Sequence, residues 1–391
     1  MNIGLFTDCY YPQINGVVTS TMILKDELEK RGHNVTIVTV KIPGFQDDKP
    51  GVLRIPSIPF RKWKEFRIGL IYPYSVIKKI KDLNLDIIHT QTEFSVCLMA
   101  RLIARIMGIP VIHTYHTMYE DYTHYVAKRN INKKIATKLS KVGSKLYLNE
   151  CASVIAPSEK TKKALIQYGV TNNIEVIPTG IKLDNFKKGI FTTAQLNAKR
   201  SEIGLFPDEK VLLYLGRIAE EKSIDVIIKQ MPGILEKNSS IRLAIVGDGP
   251  KRKELENLSA QLNIKDKTIF TGRVPWNETG LYYQLADLFV SASKTETQGL
   301  TILEAMSAGV PVLVRHDDNI KNFITHGYNG MVFEKDSDVP TAVLKCINDD
   351  NLLKNLSNNG LKTAYNLSSE YFGYKVESLY FKCLNQAKKI S

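Results

Sequence analysis

Short apolar runs alternate with longer amphipathic segments along the whole chain, and this alternation constrains the fold more than any other feature. The run at 2–7 predicts a strand, and the amphipathic segment 17–31, which Gly32 ends, predicts a helix. Strands that alternate with helices form a parallel sheet with helices on both of its faces. The sequence therefore predicts an α/β fold.

The alternation occurs twice, in two halves of similar length. In the first half we predict further strands at 35–40, 52–55, 86–89, 111–113 and 153–156, with helices at 74–83, 94–107, 133–149 and 159–168. In the second half we predict strands at 211–215, 242–246, 268–270, 288–291 and 312–314, with helices at 223–237, 251–262, 276–284, 300–307 and 340–348. A chain of 391 residues is too long for one ordinary core. We expect two domains, 1–185 and 186–370, with Pro178 and Gly180 punctuating the junction.

Glu296 and Glu304 lie eight residues apart, just after the strand predicted at 288–291. Glu296 falls in the loop and Glu304 in the following helix, which Gly309 and Pro311 end. Each carboxylate can accept two or more hydrogen bonds, so the pair suits a ligand rich in hydroxyl groups. Taken alone, two glutamates at this spacing would more often be a loop residue and a helix-surface residue, both in water.

A second polar loop follows the strand predicted at 211–215 and contains Gly216, Arg217 and Lys222. Glycine lets a backbone approach a ligand closely, and the helix that begins near residue 223 favours anions at its amino end. Arginine adds a planar fork that fits phosphate oxygens. The ordinary alternative is surface charge at a helix start. The loop is therefore a candidate phosphate site.

These two loops resemble motifs of the family 4 retaining glycosyltransferases. Residues 296–304, with their flanks at 293–295 and 305–312, resemble the E-x7-E motif, and 216–222 resembles the G-R-x-x-x-x-K element. The resemblance covers nearly the whole chain and implies the GT-B fold, in which two Rossmann-like, doubly wound domains face each other across a cleft. In that family the last helix commonly packs back on the first domain, which would place 371–391 there.

The resemblance also implies a role for each residue of the donor site. Arg217 and Lys222 would hold the diphosphate of a nucleotide sugar and neutralise the charge that develops on the leaving oxygen. Glu304 would accept the ribose hydroxyls, and Glu296 would approach the donor sugar. The remaining donor-binding residues implied by the family pattern are Gly16, Gly247, Val274, Gln298, Gly299, Leu300 and Thr301.

No metal site is apparent in the sequence. Because arginine and lysine can neutralise a diphosphate, we expect activity with no bound metal and no other cofactor. The D-x-D sequence at Asp336 and Asp338 lies in a polar turn and is predicted to face solvent. The five cysteines are scattered and none forms a C-x-x-C, which is typical of buried thiols in a reducing cytosol.

The polar loop at 112–125 holds three histidines and four tyrosines. Its sequence H-T-x-H-T-M-Y-E-D-Y resembles a signature of bacterial diacylglycerol glycosyltransferases, and His116 matches the family's active-site histidine. The resemblance implies transfer of glucose from UDP-glucose to the 3-hydroxyl of 1,2-diacylglycerol, with Tyr119 and Tyr122 on the acceptor side. The family retains the anomeric configuration. We expect front-face displacement, because no residue is an obvious nucleophile for a double displacement.

The first half is the more basic one. Residues 1–185 hold 26 Lys and Arg against 16 Asp and Glu, whereas 186–391 hold 27 against 24. Around the helix predicted at 133–149, an apolar stripe is formed by Ile131, Ile135, Leu139, Val142 and Leu146. It is flanked by Lys134, Lys138, Lys141 and Lys145, as in interfacial helices attracted to anionic lipid. An ordinary core helix gives a similar pattern. A basic and aromatic cluster at 61–67 could lie at the same interface.

The expected protein is a hexosyltransferase in the cytoplasm, peripheral on the inner face of the cell membrane. The first residues lack a basic segment followed by a long apolar run, so we expect no signal peptide. No stretch approaches the ~18 apolar residues of a transmembrane helix. Alternatives are another donor sugar (galactose, mannose or N-acetylglucosamine) and a soluble or polyprenyl-linked acceptor. A non-catalytic protein that binds anionic lipid or nucleic acid is a further alternative. The intact Arg217, Lys222, Glu296 and Glu304 favour the enzyme, for which no nucleic-acid partner is expected.

Overall fold

Two compact units make up the chain. The computed structural model describes residues 1–13, 15–45, 50–60, 67–70, 74–116, 142–143, 145–294, 299–317 and 320–390. One unit consists of Met1–Ile181 together with Ser369–Ser391, and the other of Lys182–Ser368. The division therefore falls after residue 181, close to the position 185 that we expected from the sequence.

Helices and strands alternate through both units. The strands are β1 Asn2–Phe6, β2 Asn34–Val40, β3 Val52–Ile55, β4 Ser57–Pro59, β5 Arg67–Gly69, β6 Ile87–Thr90, β7 Val111–Thr114, β8 Ser153–Ala156, β9 Ile174–Val176, β10 Lys210–Leu215, β11 Ile241–Val246, β12 Thr268–Gly272, β13 Leu288–Ser291, β14 Val312–Arg315 and β15 Met331–Phe333. The α-helices with described bounds are α1 Gly16–Lys30, α2 Tyr74–Lys81, α3 Ser95–Met107, α4 Glu159–Gln167, α5 Thr193–Glu202, α6 Ile224–Lys237, α7 Arg252–Gln261, α8 Thr279–Leu285, α9 Leu300–Ser307, α10 Val339–Ile347, α11 Asp350–Asn366 and α12 Ser369–Ile390. Residues 142–143 and 145–149 are also helical, whereas most of the helix predicted at 133–149 lies outside the described residues.

A seven-stranded parallel sheet organises the first unit, in the order β3-β2-β1-β6-β7-β8-β9. Successive side chains of a strand point to opposite faces, and both faces of this sheet are covered. Along β1, Ile3 and Leu5 pack with α1 and α12, whereas Phe6 packs with α2 and α3. The sheet is therefore doubly wound, as the sequence predicts.

The last helix, α12, packs on the first unit. Glu377 accepts hydrogen bonds from Arg31 Nη1 at 3.4 Å and pairs with His33 Nε2 at 2.6 Å. Deeper in the unit, the hydroxyl of Tyr380 lies 2.7 Å from Nδ1 of His89, and both side chains are fully buried. The chain thus leaves the first unit near residue 181 and returns to it at residue 369.

A six-stranded parallel sheet organises the second unit, in the order β12-β11-β10-β13-β14-β15. One face forms a large apolar core with α6, α7 and α10. On the other face, the ring of Tyr283 from α8 packs on Phe289 of β13, with ring centroids 6.0 Å apart. The prediction of two Rossmann-like domains is confirmed.

Each sheet contains one point where the strand order reverses. In the first unit this switch point lies between β1 and β6, and in the second unit between β10 and β13. Open parallel sheets bind ligands outside the carboxyl ends of the strands at such points, because the loops on either side diverge there. The two switch points are therefore where a site is expected in each unit.

Two further features concern the chain as a whole. The five cysteines are buried and unpaired, as predicted. Among the described residues, no helix combines the length and the apolar character that crossing a membrane requires.

Candidate active site

The predicted phosphate loop lies at the switch point of the second unit. β10 ends at Leu215 and is followed by Gly216 and Arg217. Arg217 is exposed, while its carbonyl oxygen accepts a hydrogen bond from the hydroxyl of Tyr214 at 2.9 Å. Tyr214 belongs to the apolar core, so this bond ties the loop to the sheet beneath it. The guanidinium group is thus presented to solvent from an anchored backbone.

A helix with no side-chain cap begins a few residues after Arg217. A 3-10 turn, Glu220–Lys222, leads into α6, and Lys222 is half-buried within the turn. Ser223 has a φ of 48°, and its side chain makes no capping hydrogen bond to α6. The first backbone N–H groups of a helix have no partner inside the helix, and the helix dipole favours an anion beside them. Arg217, Lys222 and this helix end are together suited to phosphate.

Gly247 shapes the loop that carries Arg217. It follows β11 with a φ of 137°, and a Cβ atom at this position would overlap the carbonyl oxygen of Gly216. The two loops are also joined by a hydrogen bond from the backbone N–H of Ile218 to the carbonyl of Asp248, at 3.0 Å. Val274 is half-buried just after β12, the next strand along the same edge. Gly247 therefore allows a close contact between two loops of the site.

Glu304 lies on α9, the helix that follows β13 on the other side of the switch point. It is half-buried, and its Oε2 accepts a hydrogen bond from the hydroxyl of Tyr283 at 2.7 Å. Burial raises the pKa of the Glu304 carboxyl, and the Tyr283 hydrogen bond opposes that rise. The carboxylate is thus held in place by the protein on one side.

The start of α9 holds three more of the predicted donor-binding residues. Gly299 has a φ of 62°, and a Cβ atom on it would lie 2.6 Å from Cζ of Phe323. It precedes the helix without a side-chain cap, Leu300 is exposed and Thr301 is half-buried. Glu296 and Gln298 lie outside the described residues, so the placement of the first glutamate of the motif stays a prediction.

In the first unit, His116 lies just beyond the carboxyl end of β7. Its Nε2 is 2.8 Å from Oε1 of Gln91, which follows the neighbouring strand β6. This contact occupies Nε2 of His116 and fixes the orientation of the ring. Burial, with a smaller effect of the nearby His113, lowers the pKa of His116 to about 3. The imidazole is therefore neutral at physiological pH.

The strands β6 and β7 exchange further buried polar contacts below His116. His89 Nε2 lies 2.7 Å from Oγ1 of Thr114, and Oγ1 of Thr90 lies 2.8 Å from Nδ1 of His113. Burial lowers the pKa of His89 well below its ordinary value, with smaller effects of His113 and His116. A buried polar group must be hydrogen-bonded to avoid a large desolvation cost, and these side chains satisfy one another. The contacts fix the strand ends that carry Gln91 and His116.

Gly16, the predicted loop glycine of the first unit, is the first residue of α1 and is exposed. The residue before it, Asn15, caps the helix, because its Oδ1 accepts the backbone N–H of Val18 at 3.0 Å. Across the switch point, buried Asp8 accepts hydrogen bonds from Ser95 Oγ at 2.6 Å and from the backbone N–H of residue 96 at 2.8 Å. Burial raises the pKa of Asp8. Asp8 thus caps α3 from the loop that follows β1.

Only part of the predicted acceptor and membrane region is described. Tyr119, Tyr122, Lys134, Lys138 and Lys141 lie outside the described residues. Lys145 is exposed, and so are two members of the predicted apolar stripe of the same helix, namely Val142, which is 48% exposed, and Leu146, which is 63% exposed. The described end of the helix therefore presents two apolar side chains to solvent, while Tyr147 and Leu148 pack in the core of the first unit.

The D-x-D sequence forms an exposed 3-10 turn, Asp336–Asp338, as predicted. Asp336 accepts a hydrogen bond from Arg315 Nη2 at 2.5 Å, and Asp338 accepts the backbone N–H of Lys335 at 2.9 Å. Both carboxylates are thus used in local structure.

A cavity of about 500 Å³ at the ends of β13–β15 is lined by Lys294, Arg315, His316 and Glu334.

The sequence patterns did not predict three residues that contact or support the candidate site, namely Tyr283, Gln91 and Asp8. Tyr283 reaches Glu304 from a helix 21 residues earlier, a contact that no local pattern reveals. Gln91 and Asp8 each follow a strand at a switch point, and that position is the signal that could have found them.

Two doubly wound units, with a candidate phosphate loop at one switch point and a buried histidine cluster at the other, are the architecture of a GT-B glycosyltransferase. Residues 14–185 match the family described as Glycosyltransferase Family 4, and 197–363 match Glycosyl transferases group 1. The chain belongs to the family 4 glycosyltransferases.

Two relatives match nearly the whole chain. It is 39% identical to the alpha-monoglucosyldiacylglycerol synthase of Streptococcus pneumoniae, over 98% of this chain and 86% of that protein. It is 35% identical to the alpha-monoglucosyldiacylglycerol synthase of Acholeplasma laidlawii, over 100% of this chain and 99% of that protein. Among solved structures, HepE of Anabaena in complex with UDP shares the fold, with a TM-score of 0.59 and 16% identity over 98% of this chain and 100% of HepE.

Proposed function

We propose that this chain transfers glucose from UDP-glucose to the 3-hydroxyl of 1,2-diacylglycerol and retains the α configuration. The observation that carries the proposal is the full-length identity of 39% and 35% to two alpha-monoglucosyldiacylglycerol synthases. The product would be α-monoglucosyldiacylglycerol, made by a cytoplasmic enzyme bound to the inner face of the cell membrane.

Arg217, Lys222 and the amino end of α6 support a role in holding the diphosphate of the donor. Negative charge develops on the leaving phosphate oxygen as the bond to the sugar breaks. Two cationic side chains and the open N–H groups of a helix stabilise that charge, so we propose that no metal is needed for this step. On the other side of the switch point, Glu304 would accept the ribose hydroxyls.

The electrostatics of His116 support a front-face displacement. An imidazole whose pKa is about 3 is a weak base at neutral pH, so it is poorly suited to take the proton of the attacking hydroxyl. In the proposed step the acceptor oxygen bonds to the anomeric carbon on the face from which the phosphate departs. The hydroxyl proton passes to the departing phosphate oxygen. His116 would contribute a neutral hydrogen bond to the sugar through Nδ1.

A membrane-facing role for the helix that ends near residue 149 is supported by its exposed apolar side chains. Val142 and Leu146 face solvent, and Lys145 is exposed beside them. Interfacial helices combine apolar burial with attraction of lysines to anionic lipid, each worth up to about 1 kcal/mol. The diacylglycerol acceptor is itself a membrane lipid, so binding at the surface would bring the enzyme to its substrate.

Arg217→Ala tests the division between catalysis and membrane binding. Wild-type and variant proteins would be incubated with liposomes that contain diacylglycerol, using labelled UDP-glucose. The expected result is loss of labelled lipid with unchanged sedimentation on the liposomes, whereas Lys253→Ala, an exposed residue of α7, should change neither. Equal loss of transfer and of liposome binding in Arg217→Ala would contradict the proposal.

A further inference from the structure

Tyr283 carries a hydroxyl group in an apolar environment where a phenylalanine ring would pack equally well. Its side chain is fully buried on α8. The ring makes edge contacts with Phe186, with ring centroids 5.6 Å apart, and a tilted contact with Phe289 at 6.0 Å. A buried hydroxyl costs free energy unless it is hydrogen-bonded. The hydroxyl of Tyr283 therefore needs a partner, and that partner is Glu304.

In the hydrogen bond between Tyr283 and Glu304, the tyrosine hydroxyl is the donor and the carboxylate is the acceptor. Burial, followed by the nearby Glu304 charge, raises the pKa of Tyr283 well above its ordinary value, so the phenol keeps its proton and donates it. The acceptor is Oε2 of Glu304 at 2.7 Å. A hydrogen bond from a rigid, packed ring fixes both the rotamer and the plane of the carboxylate that accepts it. Oε1 then has a defined position as well.

We propose that Tyr283 is a positioning residue that orients the carboxylate of Glu304 toward the ribose hydroxyls of the nucleotide. This inference rests on the proposed function, in which Glu304 accepts those hydroxyls. With Oε2 anchored on the protein side, Oε1 faces the ligand without the rotational freedom of an exposed glutamate. Tyr283 itself does not touch the nucleotide and acts only through Glu304.

The neighbouring Tyr282 provides a matched control. It is buried on the same helix, but its ring contacts Lys199 of α5, whose Nζ lies 5.5 Å from the ring centroid. Replacing either tyrosine by phenylalanine removes one oxygen atom and keeps the ring. A difference between the two variants is therefore due to the partner of the lost hydroxyl.

The test measures the affinity of the full-length protein for UDP and for 2′,3′-dideoxy-UDP by calorimetry at 10 °C. Wild-type protein should bind UDP at least about tenfold more tightly than the dideoxy compound, and Glu304→Gln should lose that preference. Tyr283→Phe should weaken UDP binding by about 3- to 10-fold and leave dideoxy-UDP binding unchanged within about twofold. Tyr282→Phe should change neither affinity.

Three results would overturn the inference. Wild-type affinity for UDP in Tyr283→Phe would show that the hydroxyl is not needed, and equal weakening for both nucleotides would show a merely structural role. Further weakening of UDP binding when Tyr283→Phe is added to Glu304→Gln would show that Tyr283 acts by another route, and this comparison holds even where the single variant is less stable. If wild-type protein did not prefer UDP, the assignment of Glu304 to ribose would fail first.

Discussion

Gly247 and Arg217 lie on neighbouring loops, and the position of the second depends on the first. No side chain fits between Gly247 and the carbonyl of Gly216, and the φ of 137° disfavours any residue with a Cβ atom. The positive charge of the candidate phosphate site is therefore held in place by a contact between backbones.

Replacing Gly247 by alanine should move the Arg217 loop. The backbone strain costs about 1–3 kcal/mol, and relief of the overlap with Gly216 shifts the loop. We expect a lower melting temperature and a loss of UDP affinity of about tenfold. The control is Gly233→Ala in α6, where a Cβ atom meets nothing within 4 Å and alanine should stabilise the helix by about 0.5–1 kcal/mol. Equal effects of the two substitutions on UDP affinity would contradict this account.

The lowered pKa of His116 predicts how the free energy of unfolding depends on pH. Its pKa is lowered in the folded protein to about 3, so acid protonates the unfolded chain first and the folded state loses stability as pH falls below about 6.5. Between pH 7.5 and pH 5 this residue alone should cost about 2 kcal/mol. In His116→Gln the fall in unfolding free energy, measured by urea titration at both pH values, should be smaller by about that amount. The exposed His316→Gln is the control, and a fall in His116→Gln as large as in wild type would contradict the prediction.

The sequence predicts some residues of the site better than others, for a physical reason. Arg217 and Lys222 lie in the loop and turn that follow β10, and Glu304 lies on the helix that follows β13, so their place at the sheet edge follows from local pattern. Tyr283 and Gln91 act through partners 21 and 25 residues away, whose proximity depends on how helices and strands pack. Local pattern carries no information about such contacts.

The same distinction holds for whole elements. The strands predicted at 35–40, 52–55 and 153–156 have apolar runs long enough to be recognised, and the structure places β2, β3 and β8 there with boundaries that differ by at most one residue. The three-residue strands β9 and β15 are too short for a pattern and exist because a neighbour pairs with them. The helix α11 contains five Asn residues and Gly360, where an added Cβ atom would lie 3.4 Å from Cγ of Met306 on α9. Tertiary packing, rather than helix propensity, explains why α11 forms.

The attachment of α12 can be tested through its most deeply buried polar contact. Tyr380→Phe leaves Nδ1 of His89 buried without its partner, which should cost about 1–3 kcal/mol of unfolding free energy. Tyr374→Phe on the same helix is the control, because Tyr374 is 47% exposed and its cation–π contact with Arg31 needs only the ring. Urea titration measures the free energy of unfolding of both variants. A loss in Tyr380→Phe no larger than in Tyr374→Phe would show that the contact adds nothing to the attachment.

For the whole molecule, the two units provide different chemistry. The second unit carries the basic loop and the open helix end, which suit a diphosphate, and the half-buried carboxylate of Glu304, which suits ribose hydroxyls. The first unit carries the neutral histidine, the surplus of positive charge and the exposed apolar residues suited to a lipid surface. We therefore expect membrane binding and nucleotide binding to be separable by substitution.

Replacing Lys134, Lys138, Lys141 and Lys145 by glutamine should weaken binding to vesicles that contain anionic lipid by at least about tenfold at low salt. UDP affinity should not change. The control removes the same charge from exposed positions of the second unit, with glutamine in place of Lys229, Lys237, Lys253 and Lys265. Vesicle sedimentation at 0.05 and 0.5 M salt measures the effect, because screening should abolish an electrostatic difference. Equal loss of binding in both sets would mean that only net charge matters.

The central claim is the identity of the lipid product. Purified protein would be given liposomes with 1,2-diacylglycerol and an equimolar mixture of ¹³C-labelled UDP-glucose with unlabelled UDP-galactose, UDP-N-acetylglucosamine and GDP-mannose. Mass spectrometry of the lipids distinguishes glucose from the unlabelled sugars by its mass label, and NMR of the product gives the anomeric configuration. We predict ¹³C-labelled monohexosyldiacylglycerol in the α configuration as the main product. A main product with an unlabelled sugar, a β linkage, or no glycolipid from protein that binds both the liposomes and UDP would contradict the claim.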